Sequence, residues 1–402
     1  MLNYNKFPIG VSNFSEIIEK ELILIDKTML IKEIMEDGAK AILITRPRRF
    51  GKTLAMTMMG EFFSFTGQDV FGGLEVSKDE AFCARHQNQY PVIFITFKDC
   101  KASTFEDMFI YLKNAFATCY EAHSDLLEKL TEEKKEIFKS VLSEKIQTPA
   151  LLTSALKSLS SYLHAHTGKK AIILIDEYDT PIHSAYSKGF YDQIIDFMRA
   201  MLGSALKDNL SLEKAVMTGI ARVAKESMFS GLNNLKCYTL LEKGYAQYFG
   251  FTEKEVESLL QDKSSLEPIK TWYNGYKIGG YQIYNPWSIM HCLQNDMTLD
   301  PYWLNTSDNA LVYELIGKSD LAFKTKVQNL IKGIPQEQTI EDDLTFREID
   351  QSDRAIWTLL FHAGYLNVVS RTRDEYGDVS TIIEIPNLEI MSLYANIVKK
   401  WF

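Results

Sequence analysis

Two clusters of residues in this chain have the types and spacing to do phosphate chemistry. The first is Arg46-Pro47-Arg48-Arg49-Phe50-Gly51-Lys52-Thr53-Leu54, which follows the apolar run Ala41-Ile42-Leu43-Ile44-Thr45. It opens an apolar-periodic helix marked by Leu54, Met58, Phe62 and Phe65. Gly51-Lys52-Thr53 is the back half of the pattern G-x-x-x-x-G-K-[ST], known as Walker A. In it, backbone N–H groups at a helix start cradle phosphate oxygens, the lysine reaches the terminal phosphates, and the hydroxyl ligates Mg²⁺. The first glycine of that pattern falls at Arg46, so the turn has to be made with Pro47 and two arginines. A helix N-terminus with a lysine near it is the plain alternative for the tripeptide alone. The strand before it and the helix after it count against that alternative.

The second cluster is Asp176-Glu177, at the end of the apolar run Ala171-Ile172-Ile173-Leu174-Ile175. Such a run buries a strand in a sheet centre and delivers the acid at its C-terminal end, where open α/β sheets place ligands. In this Walker B arrangement Asp176 holds Mg²⁺, and Glu177 orients or deprotonates the attacking water. A glutamate directly after the metal-associated aspartate favours ATP hydrolysis over GTP hydrolysis. A further expected strand, residues 214–222, ends in Thr218 and Arg222, candidates for sensing the γ-phosphate. A β-favouring threonine and a surface base explain them equally well. Asp26 and Lys27 lie just before the first core strand, where a wall against adenine belongs, but a helix cap plus a surface lysine is the stronger reading.

Composition bounds the rest. At 402 residues the chain has room for two or three domains, and 46% hydrophobic with 24% charged residues is ordinary for a soluble globular protein. A net charge of −9 argues against a surface that clings to nucleic acid throughout. The basic loop at Arg46, Arg48, Arg49 and Lys52 is suited to a nucleotide triphosphate instead. The five cysteines show no C-x-x-C pair, which points to reduced thiols in a cytoplasm and to no zinc site. No secretion signal and no run of membrane-spanning length is evident, so the expectation is a soluble, cytoplasmic protein without a membrane partner.

Along the chain, residues 14–21 and 29–36 read as helices, and 22–25 as a strand or extended piece. Residues 91–97 form a near-continuous apolar run, the pattern of a strand buried on both faces. Residues 104–166 are mostly helical, with a charged middle at 128–145 that reads as a solvated hairpin. Residues 189–206 read as one helix. Beyond residue 234 the strand–helix alternation stops. An aromatic, turn-rich stretch follows, in which Asn274-Gly275 suggests a hairpin turn and Asn285-Pro286 a helix cap. Its aromatics are read as the core of a small domain more than as base-stacking platforms. A helix at 352–363, strands at 365–370 and 380–385, and a turn at 374–378 give a helix followed by a two-stranded wing. The wing is as acidic as it is basic, which does not favour DNA. The abrupt end at Lys399-Lys400-Trp401-Phe402 suggests a longer natural protein cut at a domain boundary.

These residues, together with Phe7-Pro8-Ile9-Gly10-Val11, Ile25-Asp26-Lys27-Thr28, Asp176-Glu177-Tyr178-Asp179, Gly219-Ile220-Ala221-Arg222, Ser230-Gly231-Leu232-Asn233-Asn234, Trp272–Tyr276 and Tyr284-Asn285-Pro286-Trp287, resemble the bacterial AAA-ATPase-like family. The resemblance implies a P-loop ATPase core and a helical, winged C-terminal part. It makes Arg46 the family's own version of the loop. It also implies a following PD-(D/E)xK nuclease domain, but no Asp…Glu-x-Lys set appears after the wing, so nuclease activity is not carried onto these residues.

The resulting expectation is an α/β P-loop NTPase with a mainly parallel sheet in residues 1–240 and a helical, winged-helix-like part in 241–402. Nucleotide contacts are expected from Arg46, Arg48, Arg49, Phe50, Gly51, Lys52, Thr53, Leu54, Asp26 and Thr218. Mg²⁺ goes to Thr53 and Asp176, and catalysis to Glu177, Lys52 and Arg222. Arg48 and Arg49 either neutralise phosphate within the chain or act as fingers toward a neighbouring copy, which leaves a homo-oligomer open. Function is a Mg²⁺-dependent ATPase switch. The alternatives are a module gated by ATP or ADP with little turnover, and an ATPase that reaches nucleic acid through an attached nuclease.

Overall fold

The computed structural model describes residues 2–143, 146, 148–223, 232, 234–304, 310–344, 346–349, 352–377 and 379–399. Parts of the stretches 128–145, 230–234, 374–378 and 399–402 singled out in the sequence lie outside the described residues. Strands β1 (Ala41–Thr45) and β3 (Ala171–Asp176) are apolar, largely β-branched runs buried along their whole length. That is the signature of parallel strands covered on both faces. With β2 (Val92–Thr96), β4 (Leu212–Gly219) and β5 (Leu235–Tyr238) they form a parallel sheet in the order β2-β3-β4-β1-β5.

Successive side chains leave a strand on opposite faces, and the core divides accordingly. Ile42, Ile44, Ile172, Leu174 and Val216 pack on one face with Met56, Met59 and Phe63 of the helix Lys52–Phe63. Leu43, Ile173, Ile175 and Met217 turn to the other face, in one cluster with residues of the helices Phe105–Glu121, Ala155–Thr167 and Tyr191–Leu206. Each fully buried aliphatic side chain contributes about 1.5–3 kcal/mol.

One expectation changes here. The run 91–97 is not buried on both faces: β2 is the sheet edge, so Ile93 and Ile95 are buried while Val92, Phe94 and Thr96 are half-buried. The helix expected over 189–206 is found as Tyr191–Leu206, its start set by Gly189 (φ 83°), which ends the preceding helix Thr180–Lys188 in a left-handed turn.

After β5, strands β6 (Phe251–Thr252), β7 (Tyr276–Ile278) and β8 (Tyr281–Tyr284) make a small antiparallel sheet. Its hairpin turns at Gly279-Gly280, not at Asn274-Gly275. Asn274 instead ends the helix Leu266–Tyr273, and a Cβ on Gly275 would come within 1.9 Å of the Pro386 carbonyl oxygen. Asn285 caps the helix Pro286–Gln294 with proline in its first turn, as expected. Tyr273, Tyr276 and Tyr284 of the aromatic stretch are buried core. The helix Asp353–His362 is followed by the antiparallel pair β10 (Asn367–Arg373) and β11 (Val379–Glu384), the helix-then-wing order read from the sequence. A third strand, β9 (Gln336–Gln338), pairs with β11 and carried no sequence signal. The last described helix is Leu388–Lys399. Trp303, Leu360 and Tyr394 from this half belong to the same hydrophobic cluster as the sheet.

Candidate functional site

Strand order decides which residues meet. Because β4 lies between β1 and β3, the loop after β1 and the acids after β3 face each other across the end of β4. Register sets Thr96 beside Asp176 and Thr218 beside Ile44. Asp176 is fully buried and collects three hydroxyls. Thr53 Oγ1 donates to its Oδ2 at 2.8 Å, Thr218 Oγ1 to its Oδ1 at 2.7 Å, and Thr96 Oγ1 to its Oδ2 at 3.4 Å. Lys52 and Asp176 therefore belong to one site, since Thr53, bonded to Asp176, is the neighbour of Lys52.

The helix Lys52–Phe63 starts from Gly51, which takes φ 84° and is the residue type that this left-handed position favours. The first N–H groups of a helix have no partner within it, and the dipole adds positive potential there. Lys52 is buried, with Nζ donating to the carbonyls of Arg46 (3.1 Å) and Pro47 (2.9 Å). Burial pulls its ammonium below the ordinary lysine range, while the carboxylates of Glu177, Asp179 and Asp176 push it back up. An entering phosphate would supply the anion this cation lacks.

A cavity of about 570 Å³ opens on the loop, within the range of small-molecule sites. Arg48, Arg49, Phe50, Gly51, Lys52, Thr53, Leu54 and Glu177 line it, as do Lys98 and Lys101 after β2. Its apolar end is walled by Phe7, Pro8, Ile23, Ile25, Phe251 and Trp287. Glu177 takes φ 52°, an uncommon left-handed conformation for a non-glycine residue, of the kind that clusters at functional sites. Thr180 Oγ1 donates to it at 3.1 Å.

Several expected residues sit elsewhere. Arg46 does not line the cavity: its guanidinium is fully buried and donates to the carbonyls of Thr45, Tyr238, Thr239 and Gly244 at 2.7–3.2 Å. It is a strut that ties the loop to the end of β5, the job the missing glycine leaves open. Burial pulls it down to about 9, still protonated at neutral pH. Asp26 does not line the cavity and braces the turn before the helix Met29–Glu36, whose N-cap Thr28 makes no side-chain cap bond: Oδ1 accepts from the N–H and hydroxyl of Thr28, and Oδ2 from the N–H of Glu75. Lys27 does line the cavity, with its ammonium held by Glu255 at 2.6 Å. Arg222, expected at the γ-phosphate, pairs with Asp343 at 3.0 Å and is not among the cavity-lining residues. Thr218 is not among the cavity-lining residues; its hydroxyl donates to Asp176 and its carbonyl accepts from the N–H of Tyr178 at 3.0 Å.

The sequence reading gave no role to Asp179. It is 1% exposed, lines the cavity, and accepts from the N–H groups of Ile220 (2.7 Å) and Ala221 (3.1 Å) and from His183 Nε2 (3.3 Å). Burial pushes its carboxyl up, but the bonds and charge of His183 and the two backbone donors win and hold it below the usual range. Tyr178 clamps the same loop, its hydroxyl donating to Ala221 O at 2.6 Å. The Asp-Glu-Tyr-Asp run was the available signal.

A family model described as "Predicted AAA-ATPase" matches residues 8–229, more than half of the chain. The chain belongs to the AAA-ATPase-like family. An uncharacterised protein encoded in the vnfD 5′ region of Azotobacter chroococcum mcd 1 is 26% identical over 401 residues, covering 97% of this chain and 69% of that protein. Among solved structures, a Walker-type ATPase of Pyrococcus abyssi overlays with a TM-score of 0.44 at 12% identity, covering 97% of each chain. Drosophila ORC bound to AT-rich DNA and Cdc6 overlays at 0.25 and 10% identity, covering 92% of this chain and 93% of that one. Both overlays are loose.

As an AAA-ATPase-like protein the chain is a nucleotide-binding P-loop NTPase. Its site suits the metal such proteins use. The Thr53 hydroxyl and the Asp176 carboxylate are hard oxygen donors in contact, and Mg²⁺ is commonly held by one or two protein oxygens together with substrate phosphates. No described helix is long and apolar enough to cross a membrane.

Proposed function

We propose that the chain binds ATP with Mg²⁺ and hydrolyses it as a conformational switch, residues 1–240 forming the nucleotide unit and 241–402 the responding part. The observation that carries this reading is the convergence of the Lys52–Thr53 helix start and Glu177 on one cavity, with Asp176 buried behind it and bonded to Thr53. Backbone N–H groups of the loop and Lys52 hold the β- and γ-phosphates, and Arg48 and Arg49, lining the same chain's cavity, add positive charge in cis. Thr53 and Asp176 hold Mg²⁺, which neutralises developing charge on the phosphates when bound. Glu177 accepts a proton from water as its oxygen attacks the γ-phosphorus, and the bond to the β,γ-bridging oxygen breaks to leave ADP and phosphate.

A tight-binding module with slow turnover is the second reading. What favours it is Arg222, the cation expected at the γ-phosphate, which is held by Asp343 instead. Steady-state phosphate release separates the two. In the ATPase, Glu177→Gln retains ATP binding and slows turnover at least ~100-fold. Equal release by wild type and variant removes Glu177 from the chemistry, and release at the buffer background in wild type selects the module.

A further inference from the structure

The phosphate loop leans on the C-terminal half residue by residue. Pro47 packs against Gly364, where a Cβ would lie 2.9 Å from Pro47 Cβ. The Arg48 carbonyl accepts from Trp303 Nε1 at 3.1 Å, and the Arg49 guanidinium lies 4.2 Å from the Trp287 ring centroid. The Phe50 carbonyl accepts from the Gly250 N–H at 3.1 Å, and its ring meets Tyr276 edge-on at 5.1 Å. Arg49 adopts φ 67°, a left-handed conformation that glycine would take without strain. Such a conformation persists only where its surroundings hold it.

The two tryptophans that grip Arg48 and Arg49 are themselves tied to one carboxylate. Glu389 Oε1 accepts from the Trp303 N–H at 2.7 Å, and Oε2 accepts from Ser288 Oγ, next to Trp287, at 2.8 Å. Glu389 is fully buried, and among the described residues no ion pair reaches it. An apolar residue would suit that environment better if packing were the only requirement.

We propose that Glu389 is a positioning residue for the nucleotide: by fixing Trp287 and Trp303 it sets Arg48 and Arg49, and so the curvature of the phosphate loop. This rests on the nucleotide reading of the site. The phosphate-binding surface is then completed by the far end of the chain, and phosphate bound at the loop is sensed by the helix Leu388–Lys399 through one carboxylate. Burial pushes this carboxyl up to about 7, and the Trp303 N–H and Ser288 hydroxyl draw it back, with Asp300 adding to the rise. Tyr273 and Tyr276 also face it.

The test is titration of the full chain with Mg²⁺ and fluorescent N-methylanthraniloyl-ADP, with ATP kinetics alongside. Glu389→Gln keeps one acceptor for the Trp303 main-chain N–H, replaces the acceptor facing Ser288 by an amide N–H₂ and removes the charge. Trp303→Phe removes the donor to Arg48 while keeping an aromatic ring and the bond from the main chain to Glu389. Both variants are expected to weaken ADP binding about tenfold and to raise KM for ATP similarly, with kcat changed less than about threefold. A role confined to packing would lower the melting temperature and leave Kd unchanged. Wild-type Kd in a folded Glu389→Gln overturns the proposal. Should that variant not fold, wild-type Kd in Trp303→Phe overturns it instead. Failure of the wild-type chain to bind any adenine nucleotide overturns the parent reading, a result distinct from either.

Discussion

The strand ends of the parallel sheet and the aromatic C-terminal half hold the same nine-residue stretch, 46–54, by different physics. At the strand ends the groups are polar and reach one another by direct hydrogen bonds: Thr53, Thr96 and Thr218 on Asp176, and Arg46 on the carbonyls at and after the end of β5. On the C-terminal side the contacts are rings and backbone, from Trp287, Trp303, Tyr276 and Gly364, with a single buried carboxylate behind them. The difference separates two jobs. On the proposed reading, the sheet supplies the groups that do chemistry, and the C-terminal half supplies the shape in which a glycine-poor loop presents them. Nucleotide state can then reach the C-terminal half through contacts the loop already makes.

That division can be broken from either side. The largest effect is expected from Arg46→Leu, which leaves four carbonyls without their buried donor. Unfolding in denaturant should show a loss of about 3–5 kcal/mol. A loss below about 1 kcal/mol would mean that the C-terminal contacts alone hold the loop, and would reverse the assignment of roles.

A smaller effect comes from the other side. The Glu389 carboxyl is raised from the usual 4.5 to about 7 in the folded chain, so the folded state binds this proton more tightly than the unfolded state does. The stability it contributes is complete below about pH 4.5 and is lost as pH rises through about 7. The slope should amount to on the order of 1–3 kcal/mol and vanish in Glu389→Gln, followed by denaturant unfolding at stepped pH. An unchanged pH slope in the variant would show that the Glu389 carboxyl titrates alike in the folded and unfolded chains, its burial offset by its hydrogen bonds.

The same division explains what could be read from the sequence. The meeting of Gly51-Lys52-Thr53 with Asp176-Glu177 is legible because both groups follow apolar runs, and such runs announce strands. The parallel sheet follows from the alternation of such runs with helices. Arg46 misled because a basic side chain in a phosphate loop suggests an anion, whereas its partners are carbonyls that the chain reaches almost two hundred residues later, at Tyr238 and Thr239. Trp303 lies 255 residues from its acceptor Arg48, and no local pattern marks that pairing. Asp26 binds Thr28, the N-cap residue, and caps no helix itself, and Arg222 found its partner in Asp343, in a half whose small sheets carry weak signals. The edge position of β2 was hidden for a related reason, because an apolar run does not say how many neighbours its strand will have.

The central claim is that Lys52 and Asp176 serve a single Mg²⁺–triphosphate, and calorimetric titration of MgATP into wild type and Lys52→Ala tests it most directly. Wild type should take up one nucleotide per chain in a magnesium-dependent manner, and the alanine variant, still folded by circular dichroism, should lose that binding by at least ~100-fold. Equal affinity in the two proteins, or binding indifferent to magnesium, would contradict it.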